Sequence, residues 1–386
     1  MRSDLPIAER DRRIAALRAA MARSGLDALL IPGKGHMWTG RGAVRYLAEF
    51  HLWAHDALIL LPAVGDPVMT VSSHGVASRV AARGWIEDVR GDFRLTRRMA
   101  DAVRERRLER SRIGVAGTGW VFPAGMLDAL RAALPGVDFA PADRVFERVR
   151  SVKSPLEIEQ ARALWPVIRA AFASFGAALR PGITQQAAWA EAVRTATAMG
   201  VRDMMAFIGE APDEYDPPAD VPLRCDGVVR LHMEICGASG HWCERTVTFA
   251  RRDPTPAERS VLEAEVRAYA AVRAAARPGA TLAGISAVFA EAMADGGWAP
   301  PGPSAHYDFH GQGLDAIEWP LHSSADPAGT HGDAVLEAGQ VFSYHPARPY
   351  GRTAGFLPDI HDNMLVTGTG GERLSGDWDL GWTPMG

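Results

Sequence analysis

Residues 231–249 read LHMEICGASGHWCERTVTF. Two stretches alternate apolar and polar residues around Ala238-Ser239-Gly240, the pattern of a β-hairpin. Its polar members are His232, Glu234, His241 and Glu244. Four titratable groups on one strand pair exceed what solubility requires, and in a strand they sort by parity onto two faces. On the return strand Trp242 and Glu244 share one face, and His241 and Cys243 the other.

Working outward, the chain has 386 residues, 47% hydrophobic and 23% charged. That is too long for one small core and fits two domains of a globular protein. A net charge of -4 argues against nucleic-acid and anionic-membrane partners. No apolar run has the length of a bilayer span. The N-terminal MRSDLPIAERDRR is charged and lacks an apolar signal core, as expected of a cytoplasmic protein. Cys225, Cys236 and Cys243 lack CxxC spacing and read as buried reduced thiols rather than metal ligands.

Before the hairpin, residues 1–150 alternate helical and strand patterns, which predicts an α/β domain. Residues 7–25 have apolar positions at helical spacing and end at a Gly. DALLIPG (27–33), ALILLPA (57–63) and PVMTVSS (67–73) read as strands, and 96–110 as a charged surface helix. Near residue 150, VRSVKSPLEIEQAR starts a new helix: Ser154 caps it, Pro155 suits its first turn, and Glu157 completes a capping box. The second domain, 151–386, carries an internal echo. RPGITQQAAWAEAV (180–193) and RPGATLAGISAVFAEAM (277–293) each end one helix at a Pro-Gly turn and open another at a Thr. Two helix–helix–strand units predict an α+β domain with a pseudo-two-fold repeat.

VKSPLEIEQAR, the two RPG(I/A)T turns, CDGVVRL, ERTVTF, HGQGLDAIEWP, LEAGQVFSYHP and DIHDNMLVT follow in an order that resembles the creatinase and aminopeptidase P family, the pita-bread fold of the M24 peptidases. The resemblance spans 150–370, and the N-terminal α/β domain agrees with it. It implies a homodimer whose N-terminal domain reaches the partner's site. It also implies a centre that, in metal-dependent members, is built from Asp, Asp, His, Glu and Glu around two ions. The two Asp stand eleven residues apart, which places them at Met233 and Glu244. The His falls on His310, the first Glu on His345 and the last on His361. A thioether is a poor ligand for a hard divalent ion, so Met233 removes one ion position. Glu244, His310, His345 and His361 remain, a set suited to one divalent transition metal ion such as Fe, Mn or Zn. On this reading His232 and Glu234 flank Met233 and face away from the metal.

Two His residues that position the peptide in the peptidases are missing. GEAPDEYDPPADVPL (209–223) has no His, only the loop acids Asp213, Glu214 and Asp216, and Ile317-Glu318 stands where the family has His-Glu. The expected reaction is therefore hydrolysis of a non-peptide C–N bond in a small polar molecule, with ordinary aminopeptidase activity not expected. Glu318 and Glu244 are the candidate catalytic carboxylates. Trp242, Tyr307, Arg348 and Arg352 are candidate substrate contacts. Trp53 and His55 are further candidates on the stretch GRGAVRYLAEFHLWAHDA (40–57), read as a loop. His306, Tyr307 and Phe309 precede the ligand His310. Three other readings stay open: a lyase or oxygenase at a three-His, one-Glu metal site, a metal-free creatinase-like hydrolase, and a non-catalytic binding protein.

Overall fold

The structure, a computed structural model, describes residues 5–211, 214–298, 307–345 and 360–385. The chain folds as two compact units, Met1–Arg150 and Ser151–Gly386.

In the first unit, α1 (Ile7–Arg23), β1 (Ala28–Lys34), α2 (Arg41–Ala48), β2 (Asp56–Pro62), β3 (Val68–Val71), α3 (His74–Arg83), β4 (Asp88–Gly91), α4 (Leu95–Glu105), β5 (Arg112–Val115), α5 (Ala124–Ala133), β6 (Asp138–Pro141) and α6 (Asp143–Ser151) follow one another. One mixed sheet has the order β4-β3-β2-β1-β5-β6. The near-continuous apolar runs of β1 and β2 are buried because helices cover the sheet. A buried cation ties α1 down. Arg13 is fully buried, bonded to Glu9 Oε1 (2.9 Å) and to Tyr46 O (3.0 Å), with its guanidinium 4.5 Å from the Tyr46 ring centroid. Burial alone would raise the Glu9 pKa, but Arg12 and Arg13 hold it below the usual carboxylate range.

The stretch 40–57 departs from the expected loop. Residues 41–48 are α2, and Arg41 and Arg45 are buried, with Arg45 paired to Glu49 at 2.7 Å. Gly40 starts the helix at φ 90°, a conformation in which a Cβ would meet Val121 at 2.8 Å. Local polarity suggested a surface loop; the packing of Val44, Leu47 and Ala48 decided otherwise.

The second unit is built twice over. α7 (Pro155–Ala178), α8 (Gln185–Ala198) and the strands β7 (Asp203–Gly209), β8 (Val228–Cys236) and β9 (Trp242–Ala250) are followed by α9 (Pro256–Ala275), α10 (Leu282–Asp295), β10 (Phe309–Gly311), β11 (Glu318–His322), β12 (Val341–Tyr344), β13 (Asp362–Val366), β14 (Gly371–Arg373) and β15 (Thr383–Pro384). Both first helices open with a capping box, Ser154/Glu157 and Thr255/Glu258, with Pro in the first turn. Both second helices are capped by a Thr, Thr184 or Thr281. Each Thr follows a Gly with positive φ, Gly182 or Gly279. The strands form two sheets, β15-β9-β8-β7 and β11-β10-β12-β13-β14. One core lies between α7, α8 and the first sheet, and a second between α9, α10 and the other. This is the pita-bread architecture.

Candidate metal centre

The β8–β9 hairpin pairs Glu234 with Glu244, His232 with Thr246 and Cys236 with Trp242. Residues opposite one another in an antiparallel pair share a face. His232, Glu234, Trp242 and Glu244 therefore stand together, while Leu231, Met233, Ile235, Cys243 and Val247 enter the core beneath α7 and α8. This corrects the sequence reading of Met233. Its side chain occupies no ligand position, and His232 and Glu234 lie on the site's face rather than away from it. The eleven-residue spacing pairs positions of opposite parity, whereas this register pairs positions of equal parity.

The facing sheet supplies three imidazoles by the same period of two. His310 on β10 is opposite Ser343 on β12, and Ser343 is opposite Asn363 on β13. His345 follows β12 and His361 precedes β13, so His310, Gln312, Ser343, His345, His361 and Asn363 share one face. Their neighbours Phe309, Phe342, Tyr344 and Met364 fill the second core.

Glu244 is buried where the faces meet. Its carboxylate lies 3.9 Å from His310 Nε2, 3.9 Å from His345 Nε2 and 4.0 Å from His361 Nδ1. The ring centroids of His310 and His345 are 5.0 Å apart, those of His345 and His361 4.9 Å, and those of His361 and His232 4.7 Å. Two ligand triads share the carboxylate: Glu244 with His310 and His345, and Glu244 with His232 and His361, each with its ligand atoms within 4.8 Å of one another. Neutral donors fix the carboxylate. Gln312 Nε2 donates to Oε2 at 3.2 Å and Ser343 Oγ donates to Oε1. Asn363 accepts from the Glu244 backbone N–H (2.9 Å) and donates to Gln312 Oε1 (2.6 Å).

These residues fit a metal ion. His310 Nδ1 is 2.9 Å from Gly311 O. A carbonyl only accepts, so Nδ1 carries a proton, and in the neutral ring that a metal requires, Nε2 is then the unprotonated atom facing Glu244. Two acceptors then face each other at 3.9 Å, too far for a hydrogen bond yet close enough to share an ion, since two donors each about 2.1 Å from one ion lie at most about 4.2 Å apart.

The other expected residues divide. The Trp242 side chain is buried on the Glu244 face, and its backbone N–H donates to Gly313 O at 2.7 Å. The Tyr307 ring stands edge-on to His310 at 6.3 Å. Glu318 is displaced from its expected acid–base role. Lys153 Nζ holds Oε2 at 2.5 Å, and the backbone N–H groups of Leu314 and Asp315 hold Oε1. Gly313 lets that loop wrap the carboxylate, because a Cβ there would lie 2.8 Å from both oxygens. Glu214 caps its own loop through the N–H groups of Glu210 and Ala211. Trp53 (69% exposed) and His55, bonded to Ser72 at 3.2 Å, belong to the first unit. Arg348, Arg352, His306 and Asp213 lie outside the described residues. All three cysteines are buried and none is in a disulfide, and burial with the neighbouring Glu244 pushes the Cys243 thiol up, which makes it inert.

Sequence reasoning missed Gln312, Ser343 and Asn363. Each stands two residues from a candidate ligand, so alternation alone would have found them. Tyr215 was also missed: its ring lies 5.7 Å from His232 and 6.4 Å from His361.

The sequence profile of metallopeptidase family M24 matches residues 158–371, and that of the creatinase/prolidase N-terminal domain matches residues 13–152. The chain belongs to family M24. Among solved structures it is similar to the dipeptidase PepE of Mycobacterium ulcerans (24% identity over all of both chains, TM-score 0.77). It also resembles the X-Pro aminopeptidase of Thermotoga maritima (18% identity over 96% of this chain and 99% of that one, TM-score 0.80). The prolidase of Pyrococcus horikoshii aligns at 18% identity over 96% and 99%, TM-score 0.76. At these identities the likeness establishes the fold. No curated protein matches the sequence. Among the described residues, no helix is long and apolar enough to cross a membrane.

Proposed function

We propose that the chain is a metal-dependent hydrolase that cleaves a non-peptide C–N bond of a small polar molecule, with one divalent transition metal ion held by Glu244, His310, His345 and His361. The single observation behind this is the buried Glu244 carboxylate, with three imidazole nitrogens at 3.9–4.0 Å and one of them held in its ligand tautomer. The family, and the likeness to a dipeptidase and a prolidase, support hydrolysis. The absence of the two peptide-positioning His residues supports a substrate other than an ordinary peptide.

When bound, such an ion polarises a carbonyl and lowers the pKa of water. The protein's own groups do the rest. Gln312 and Ser343 aim the Glu244 carboxylate, and Gly311 sets the His310 tautomer. His232, 3.4 Å from Glu234 Oε1, takes the proton-carrying role that Glu318, locked to Lys153, does not fill. Tyr307 borders the centre beside His310. Arg348 and Arg352 remain candidates for a substrate carboxylate. The enzyme works as a cytoplasmic homodimer, with Trp53 and His55 near the partner's site.

Elemental analysis of untagged protein tests the reading. About one equivalent of transition metal in the wild type, lost in His345→Ala, is expected; no metal after anaerobic incubation with iron, manganese or zinc sinks it. The second triad favours a neighbouring ion position, at His232, Glu244 and His361. Metal lost in His232→Ala and retained in His345→Ala would select that position.

A further inference from the structure

We propose that Glu318 is a positioning residue: its buried carboxylate folds the turn 312–317 around itself and, through that turn, aims the Gln312 amide at Glu244. The inference rests on the reading that Glu244 is the ligand shared by the metal centre. The turn joins β10 to β11, and residues 312–316 are buried. Backbone N–H groups in a buried turn need acceptors. Glu318 gives one oxygen to two of them: Oε1 accepts from Leu314 N–H at 2.9 Å and from Asp315 N–H at 3.2 Å. Oε2 accepts from Lys153 Nζ at 2.5 Å, so the charge that draws the turn inward is paired where it is buried.

The shape of the turn reaches the centre through Gln312. Its backbone N–H donates to Val341 O at 3.0 Å, and Trp242 N–H on the hairpin donates to Gly313 O at 2.7 Å, so both halves of the repeat hold the turn. The Gln312 side chain starts at one end of the turn and donates to Ala316 O, near the other end, at 3.1 Å. The same Nε2 donates to Glu244 Oε2 at 3.2 Å, and Oε1 accepts from Asn363 Nδ2 at 2.6 Å. A planar amide holds its two N–H groups in fixed directions. The bond to Ala316 O therefore sets the direction of the bond to Glu244. Ala316 O stands where it does because the turn closes on Glu318. Opening the turn would leave the Gln312 amide free to rotate away and would take one donor from the Glu244 carboxylate.

Two charge-neutral pairs of substitutions separate this role from the charge itself. Lys153→Met with Glu318→Gln keeps an oxygen for the Leu314 and Asp315 N–H groups. Lys153→Met with Glu318→Leu is similar in size and offers none. Neither pair strands a buried charge. In a chelator competition for zinc on the full chain, the glutamine pair should stay within about three-fold of wild type, and the leucine pair should bind about ten-fold more weakly. Adding Gln312→Leu to the leucine pair should cost at most about two-fold more, because both changes act through one bond. Equal affinities in the two pairs, or the whole loss of Gln312→Leu added to that of the leucine pair, overturns the proposal. Side-chain amide exchange of Gln312, followed by NMR on isotope-labelled glutamines, reads the same link without metal. It should be slow in wild type and the glutamine pair and about ten-fold faster in the leucine pair; equal rates overturn the proposal. Wild type that takes up no zinc defeats the metal reading, and the exchange comparison still decides the positioning. A leucine pair that loses its circular dichroism would make Glu318 a residue of folding, which also overturns the proposal.

Discussion

Glu244 shows how much one side chain owes to its neighbours. A buried carboxylate is costly unless every lone pair is served, and here Gln312 and Ser343 serve one each while three imidazoles approach the rest. Removing a group that orients a ligand typically costs ten- to a hundred-fold in metal affinity. Gln312→Leu should therefore weaken metal binding by about that factor in a chelator competition, with little change in fold by circular dichroism; unaltered affinity would mean that Gln312 only packs. In the first unit, Arg13 has a comparable standing without a chemical role. Truncating one partner of a buried pair costs about 3–5 kcal/mol. Arg13→Ala should lower the denaturation free energy of that unit by about this much, read by urea titration.

At the scale of elements, the hairpin register carries the main consequence. Met233 is fully buried among Leu231, Ile235 and Cys243. Met233→Ala should cost about 2–5 kcal/mol and leave metal content unchanged, whereas His232→Ala, on the face of the second triad, should lower metal affinity at small cost in stability. The reverse pattern would return Met233 to the site. The paired capping boxes give a further prediction. Burial alone would raise the Glu258 pKa, but Arg252 and Thr255 hold it below the usual value. A carboxylate with a depressed folded pKa stabilises above its unfolded value, about 4.3, and that contribution disappears as pH falls through the folded one. Glu258→Gln should be less stable at neutral pH and should lose less between pH 5 and the acid range than wild type, monitored by thermal melts. The box around Ser154 was legible because a cap, a Pro and a Glu lie within four residues. The one around Thr255, TPAE against SPLE, has the same cap–Pro–x–Glu pattern and was missed in the sequence.

Over the second unit as a whole, the centre exists only because two sheets from two halves of a repeat face each other. Glu244 comes from one, and His310, His345 and His361 from the other. Ligands binding the folded form alone stabilise it by mass action, about 2.7 kcal/mol at a hundred-fold excess over Kd. Zinc or manganese should therefore raise the melting temperature of the wild type in a chelator-reversible way, and should leave Glu244→Ala unmoved; equal shifts in both proteins would place the ion elsewhere. Local order was open to the sequence. Helix starts, strand periodicity, the Pro-Gly-x-Thr turns and the order of the motifs depend on residues close in the chain, and they determined the fold class and the family; Glu244, His310, His345 and His361 were candidates only through the resemblance to that family. The tertiary structure decided which face each hairpin residue takes, that Glu318 belongs to Lys153, that 41–48 is a buried helix, and that Tyr215 reaches His361. Register in the hairpin follows from how residues 237–241 close between Cys236 and Trp242, with Gly237 N–H bonded to His241 O and Gly240 at φ 88°. A slip of one residue reverses every side chain, so a spacing borrowed from relatives misassigned Met233. The remaining contacts join segments far apart in sequence, and only the packing of the folded chain brings them together.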